Sequence, residues 1–461
     1  MIHPQPVRWQ SRLGLFLGAL LVGCFLRLGY GVAHYHEQVS LTGQDFVLLW
    51  DYDALEHVLI AKSLIEERAY RVGKPIEGKW IRYGPHDALF KAPLYQYFLA
   101  GVFAVSGFSF ALFFPLQAII GGLAAGLAAV VALELFGRWR IAAFTGLAAA
   151  AHPMLVNSAS QPYNENLFVA LIFGSIWAFV RWVKAPHPAW ALAVGVFGGL
   201  AILCRESALP LLVSMAAYAL VTRPAGARSS ITGACLMLAV ATLMILPWSL
   251  RNFARTGGVV PVSAITGTAL AMGNNECLAE MPLLTWYWAE GPCEPLNAKR
   301  AQIFAHIPAA RFLDRVERNR VNAQLGAQFI TARPMDYLKL SAQRAWTMLL
   351  PFHPQQSRGT YQRIVLFGYW LAVFPAGLIG MIVYGVRSAR GRLLIALLFA
   401  ILAPAMLVYI SADMRHRIPA DLVFACLAGR LYAEALERRS GRTLVDRGHA
   451  VRSPSGGQLP A

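Results

Sequence analysis

Apolar runs recur along this chain, most of them close to the roughly 20 residues that a helix needs to cross the hydrocarbon of a bilayer. They fall at about 13–34, 110–136, 141–158, 166–183, 189–204, 207–222, 231–249, 364–386, 392–411 and 418–434. Inside hydrocarbon each backbone N–H and C=O must be satisfied within its own segment, and a helix does that. The pattern predicts an all-α polytopic membrane protein with about ten transmembrane helices. Composition agrees, since 57 % of the 461 residues are hydrophobic and only 14 % charged, against about a quarter charged in soluble domains. A net charge of +17 would alone suggest a nucleic-acid partner. The basic residues instead punctuate the apolar runs, which assigns them to the membrane surface.

Their distribution predicts orientation. With the N-terminus inside, Arg8, Arg12, Arg138, Arg140, Arg181, Lys184, Arg223, Arg228, Arg387, Arg390, Arg392 and six arginines from Arg430 to Arg452 are cytoplasmic, and the short outer connections hold only Arg205, Arg415 and Arg417. The Lys/Arg bias near spans then puts both termini inside a bacterial inner membrane. Segment 93–106 is apolar but barely 14 residues long, so it reads as an interfacial helix and not a span. The first segment is too long for a cleaved signal and reads as an anchor.

This arrangement divides the chain into an N-terminal module at 1–250, which includes a first outer loop at 35–109, a second large outer loop at 251–363, C-terminal helices at 364–437, and a basic, disordered tail at 438–461. Function belongs in the two loops. The second contains Cys277 and Cys293, which fit a disulfide in an oxidising compartment, although two unpaired thiols are the alternative.

Residues 50–67 (WDYDALEHVLIAKSLIEE) place Ala54, Val58, Ala61 and Ile65 on one stripe and Glu56, Ser63 and Glu67 opposite, the pattern of an amphipathic interfacial helix. Asp53 with Glu56 three positions on could simply cap that helix. The sharper reading is a general base, Asp53 or Asp51, made more basic by nearby hydrocarbon. Lys91 either snorkels or presents an ammonium at headgroup depth. Glu165 opens an apolar helix on the outer side, where its charge suits the helix dipole or faces the same cleft as Asp53. Arg205, Arg251, Arg415 and Arg417 are exceptions to the charge rule, and guanidinium forks bind phosphate oxygens. Lys91, Arg251, Arg415 and Arg417 would together hold a lipid-linked phosphate. No HExxH, CxxC or Walker-type spacing occurs, so no cofactor is assigned and a divalent metal has no support from ligand spacing.

The spacing D-x3-H-x3-A from Asp53 through His57 to Ala61, followed by Lys91-Ala92-Pro93-Leu94-Tyr95, resembles the D-x3-Y-x3-A and KPPLY elements of GT-C glycosyltransferases that use polyprenyl-phosphate sugars. These include bacterial relatives of the protein mannosyltransferases and the aminoarabinose transferases of lipid A. Glu165, Arg205, the string 247–275 ending in Asn274 and Asn275, and RHRIPADL at 415–422 continue the resemblance. It implies a GT-C fold with Asp53 at the catalytic acid position, Lys91 facing the lipid phosphate and Glu165 at a second acidic position. His57 stands where Tyr is common, Ala92 replaces a Pro, and Phe90 replaces the Glu of aminoarabinose transferases. That last departure puts their metal contact in doubt here.

The expected activity is an inverting single displacement from a polyprenyl-phosphate sugar to a hydroxyl acceptor on a lipid, glycan or protein in the periplasm. Trp286, Tyr287 and Trp288 would stack on a sugar or line the interface. No nucleic acid is expected as a partner. The rival reading is a transporter or flippase of a lipid-linked saccharide, which would require polar residues deep inside several spans. The spans read as almost free of central charge.

Overall fold

A computed structural model describes residues 9–42, 52–72, 88–224, 226–280, 295, 298, 299, 302, 315–351, 359–385, 387–408 and 414–439. Seventeen helices are named here, in order α1 (Trp9–Thr42), α2 (Tyr52–Glu66), α3 (Leu94–Ser106), α4 (Phe110–Phe136), α5 (Trp139–Ala150), α6 (Pro153–Asn157), α7 (Glu165–Lys184), α8 (Pro188–Cys204), α9 (Leu209–Thr222), α10 (Ala227–Thr256), α11 (Thr266–Gly273), α12 (Glu276–Glu280), α13 (Arg315–Ala332), α14 (Pro334–Leu349), α15 (Thr360–Gly380), α16 (Ala389–Leu407) and α17 (Met414–Arg439). The expected spans fall largely on helices where they are described. Among the described residues six helices are long and apolar enough to cross a membrane: α1, α4, α7, α10, α15 with its continuation to Gly385, and α16. The expected spans at 189–204 and 207–222 are shorter apolar helices, as is α3. The helix α17 has 26 residues with charge at both ends.

One expected span is broken. The run 141–158 becomes α5 and the five-residue α6, with the interruption at Ala151 and His152. Pro153 is the reason, because it has no N–H to give to the Ala149 carbonyl four residues back and it drives its predecessor out of the α region. Arg27 of α1 supplies what Pro153 cannot. Its guanidinium, only 1 % exposed, donates to the carbonyls of Ala149 (3.2 Å) and Ala150 (2.9 Å) and to Asn166 Oδ1 (3.0 Å). The expectation of spans nearly free of central charge misses this arginine, but its donors end on a helix terminus and not on a pathway.

The helices α1, α4, α5 and α7 pack into one group, α8 to α10 extend it, and the C-terminal helices return to close it, α17 against α5 and α16 against α9. Small residues permit the close approaches: a Cβ on Gly122 would lie 2.6 Å from the Leu20 carbonyl, and one on Gly377 2.7 Å from that of Phe424. This is how apolar helices pack when lipid offers no hydrophobic drive to associate. At one end, Glu134 gathers Arg12, Arg181 and Lys184, and Arg138 pairs with Glu437 at 3.0 Å. All six residues lie at the end read from the sequence as cytoplasmic.

The opposite end carries α2 and α3. The helix α3 keeps 13 residues and stops at Gly107, whose φ of 62° closes the left-handed cap, so it is too short to span, as the sequence implies. The helix α2 departs from the expectation of a surface-lying amphipath. Ala54, Val58 and Ala61 enter the main core, while Leu55, Leu59 and Ile60 form a second cluster with Tyr70, Val72, Phe90, Leu203 and Trp248. With apolar residues on two faces, α2 is embedded between elements, and even Glu56 and His57 are buried.

Candidate active site

Asp53 lies in the first turn of α2, yet its carboxylate does not serve the helix terminus. Oδ1 accepts from Lys91 Nζ at 3.0 Å, and Oδ2 accepts from Arg415 Nη1 at 3.0 Å. Lys91 sits immediately before α3, and Arg415 in the first turn of α17, 362 residues away in sequence. The lysine is also shared with Glu56 Oε2 at 3.1 Å. Residues 53 and 56 are three apart, so one helical face presents both acids to one ammonium. Tyr70 fixes the lysine's backbone by donating from its hydroxyl to the carbonyl of Lys91 at 3.0 Å.

These contacts reverse one expectation. Proximity to hydrocarbon was expected to make Asp53 more basic, but Lys91 foremost, with Arg415 adding to it, holds its carboxyl well below the usual carboxylate range against the opposing effect of burial. Burial favours the neutral amine of Lys91, but Asp53 and Glu56 outweigh it and raise the group above an ordinary lysine. The site is therefore charged and internally paired at neutral pH. His57 is 5 % exposed; burial first, then Lys91, pushes its pKa well down, so the imidazole is neutral. Its Nδ1 lies 2.9 Å from the Gln96 amide, whose oxygen accepts the ring proton once the amide nitrogen is turned toward the Ala92 and Pro93 carbonyls. Tyr95 packs edge-on against this ring at 5.1 Å and its hydroxyl accepts from Gln117.

A second acid-base pair stands beside the first. Glu165, 2 % exposed at the start of α7, faces Arg205 Nη1 at 3.6 Å, and both are close enough to act electrostatically on Tyr95 and His57 respectively. Among the described residues Glu165 Oε2 is buried without a hydrogen-bond partner. Next to Arg205 lies a tight apolar crevice of about 10 Å³ between α7, α9, α16 and α17, lined by Phe168, Ile172, Leu211 and Ile401 and carrying Arg205 and His416 among its polar residues. Among the described residues no three His, Cys, Asp or Glu side chains cluster as a metal site.

The structure does not bring every expected cation to Asp53. Arg417 is turned away and buried: it donates to the carbonyls of Met348 and Leu350 and its Nε lies 2.8 Å from Asp421 Oδ1. Two residues further along a helix is a rotation of about 200°, so Arg415 and Arg417 could not face one ligand. Arg251 lies over the rings of Trp248 (4.7 Å) and Tyr70 (5.5 Å) and donates to Asn252, which places it behind Lys91. Asn274 is buried in the second loop, where it accepts from Arg344 at 2.8 Å. Cys277 is disulfide-bonded. Asp51, Cys293 and the Trp286–Trp288 aromatics lie outside the described residues. Sequence reasoning left Glu56 as a cap partner and passed over Gln96 and Gln117; the i, i+3 spacing of Asp53 and Glu56 was the available signal.

This chain has the GT-C fold, which its likeness to solved oligosaccharyltransferases shows. The family model for dolichyl-phosphate-mannose-protein mannosyltransferases matches residues 90–250, a stretch that includes Lys91, Glu165 and Arg205. The fold is similar to the archaeal oligosaccharyltransferase AglB of Archaeoglobus fulgidus, solved with an inhibitory peptide and a dolichol-phosphate, at a TM-score of 0.55 and 16 % identity over 94 % of this chain and 52 % of that one. A second structure of an Archaeoglobus fulgidus oligosaccharyltransferase, tethered with an acceptor peptide, gives 0.53 and 14 % over 94 % and 51 %. ArnT of Cupriavidus metallidurans, bound to undecaprenyl phosphate, gives 0.40 and 18 % over 94 % and 80 %. The chain spans about half the length of the oligosaccharyltransferases it matches. No curated protein matches it by sequence.

Proposed function

We propose that this protein is an integral membrane glycosyltransferase that moves a sugar from a polyprenyl-phosphate donor to a hydroxyl acceptor by one inverting displacement. The observation that carries this reading is the Asp53 carboxylate bridged by Lys91 and Arg415 at 3.0 Å each. A carboxylate locked in two ion pairs is a poor base. A donor phosphate entering the site offers the same two cations a second anion, and Lys91 and Arg415 would turn to it. Asp53, relieved of the charges that depress it, then regains basicity beside the acceptor, so the base is readied only when the donor is bound.

In the reaction the acceptor hydroxyl attacks the anomeric carbon and its proton passes to Asp53. The bond from that carbon to the phosphate oxygen breaks, and prenyl phosphate leaves with its growing negative charge held by Lys91 and Arg415. Glu56 keeps the ammonium aimed, and His57, being neutral, adds no competing cation. Glu165 with Arg205 forms the second polar wall. The prenyl chain would lie in a groove between spans, where burial binds without polar contacts. The family model and the dolichol-phosphate in the AglB structure support a lipid-phosphate donor. The Lys/Arg bias supports a periplasmic site and cytoplasmic termini.

The test is transfer from a panel of radiolabelled polyprenyl-phosphate sugars in membranes containing wild type, Asp53→Asn or Asp51→Asn at matched expression. Transfer abolished by Asp53→Asn alone is expected, and the labelled product names the acceptor class. Full activity of Asp53→Asn would remove the base from this mechanism, and no transfer from any donor would overturn the function.

A further inference from the structure

The helix α14, in the second outer loop, exposes an apolar face on the side away from its packing. Leu340, Ser341, Arg344 and Met348 form its buried side. On the other side Met335 is 75 % exposed, Leu338 57 %, Trp346 56 % and Leu349 39 %, with Ala342 exposed between them. At 100° per residue these five fall within an arc of about 80°. Scattered exposed apolar residues need no explanation, but a contiguous stripe of this kind marks a contact surface.

The end of α14 shows where that surface lies. Arg417, at the site end of α17, donates to the carbonyls of Met348 and Leu350, and Trp370 Nε1 of α15 donates to that of Leu349 at 2.9 Å. The helix is thereby pinned to the first turn of α17 and to the middle of α15. One of them, α15, is long and apolar enough to cross the membrane and exposes Ile364, Phe367 and Leu371. The exposed stripe of α14 thus meets the lipid-facing surface of α15 at a fixed joint. Lys339 borders the stripe and donates to the Ala279 carbonyl at 3.0 Å, so its charge is turned toward the loop and not into the apolar face.

We propose that α14 is a membrane-seated helix, its Met335, Leu338, Ala342, Trp346 and Leu349 stripe bedded in the bilayer leaflet on the Asp53 side. Trp346 suits that depth, since indole favours the boundary between headgroups and acyl chains. Seated in this way, α14 anchors the second loop, which it holds through Arg344 to Asn274, and it braces the first turn of α17, from which Arg415 reaches Asp53. The proposal does not depend on sugar transfer.

Two measurements on the full chain test it. Nitroxides are placed one at a time at Leu338→Cys, Ala342→Cys and Trp346→Cys, with Gln328→Cys on the exposed face of α13 as reference, after the free cysteines Cys24, Cys204, Cys235 and Cys426 are changed to Ala and the Cys277 disulfide is kept. In nanodiscs of phosphatidylethanolamine and phosphatidylglycerol, collisions with oxygen relative to a water-soluble nickel chelate should be several-fold higher at the three α14 sites than at Gln328→Cys. Equal ratios would overturn the proposal, and so would spin-spin broadening between copies, which would assign the stripe to a second chain. If the cysteine-depleted chain does not insert, the wild-type chain is used in vesicles carrying a photoactivatable acyl chain. Adducts mapped to 335–349 are expected, and their absence while α15 is labelled would refute the seating.

Discussion

Removing Arg415 separates its role in the reaction from its role in the fold. In Arg415→Met the site loses one 3.0 Å ion pair with Asp53, whose partners are 22 % and 39 % exposed, and a contact over the Tyr163 ring at 5.8 Å. A half-exposed pair contributes about 0.2–1 kcal/mol and a cation over an aromatic ring about 0.5–1 kcal/mol. The total, about 1–2 kcal/mol, is well short of the 5–15 kcal/mol or so that holds a folded domain together. Loss of a group that stabilises charge in the transition state costs far more, about 2.7–4 kcal/mol or a factor of roughly 100 to 1000 in kcat. Single-turnover transfer in nanodiscs should therefore fall by two to three orders of magnitude while the melting temperature moves by only a few degrees. Arg415→Lys should recover part of the rate, since an ammonium restores charge without the guanidinium fork. Asp53 also loses one of the two cations that depress it, so the acid limb of kcat/KM moves to higher pH. A kcat within ten-fold of wild type together with an unmoved acid limb would refute the reasoning.

Three further outcomes follow from the same contacts. Because the Asp53 carboxyl is depressed, its ion pairs contribute stability that is present above its unfolded value of about 3.9 and lost as pH falls through the lower folded value; the melting difference between wild type and Asp53→Asn should stay constant from about pH 7 to pH 5 and close only below about pH 4. Glu56→Gln leaves Lys91 its bond to Asp53, so kcat should drop by less than about ten-fold, roughly 1.4 kcal/mol; a loss matching that of Asp53→Asn would make Glu56 the principal acid. Arg27→Met strips donors from the Ala149 and Ala150 carbonyls at about 1–3 kcal/mol each, and adding Pro153→Ala, which restores an N–H to Ala149, should recover part of the melting temperature; simple additivity of the two losses would refute the staple.

The periodicity and charge of the chain are enough to locate its apolar spans but not the helices α11 to α14 of the second loop, because hydrocarbon imposes length and apolarity on each span separately and the Lys/Arg bias acts within a few residues of each end. The same locality makes α3 legible as too short to cross, and brings Arg205, Arg251, Arg415 and Arg417 forward as exceptions to an otherwise simple pattern. What α2 does was not legible, since its second apolar face, Leu55, Leu59 and Ile60, acquires a meaning only when Tyr70 and Trp248 arrive beside it from elsewhere.

The division is sharpest for the two arginines of RHRIPADL. By sequence alone both are basic and both stand out against the Lys/Arg bias of the other connections. Only the tertiary structure decided that Arg415 reaches the carboxylate while Arg417 ties the backbone of α14, because that choice depends on the rotation of α17 about its axis, and the rotation is set by packing against α5 and α15. In the same way the sequence carries Arg27 and Pro153, each a local anomaly, 126 positions apart. That the one supplies the hydrogen bond the other lacks is a matter of which helix end meets which side chain, and no local property of either residue contains it.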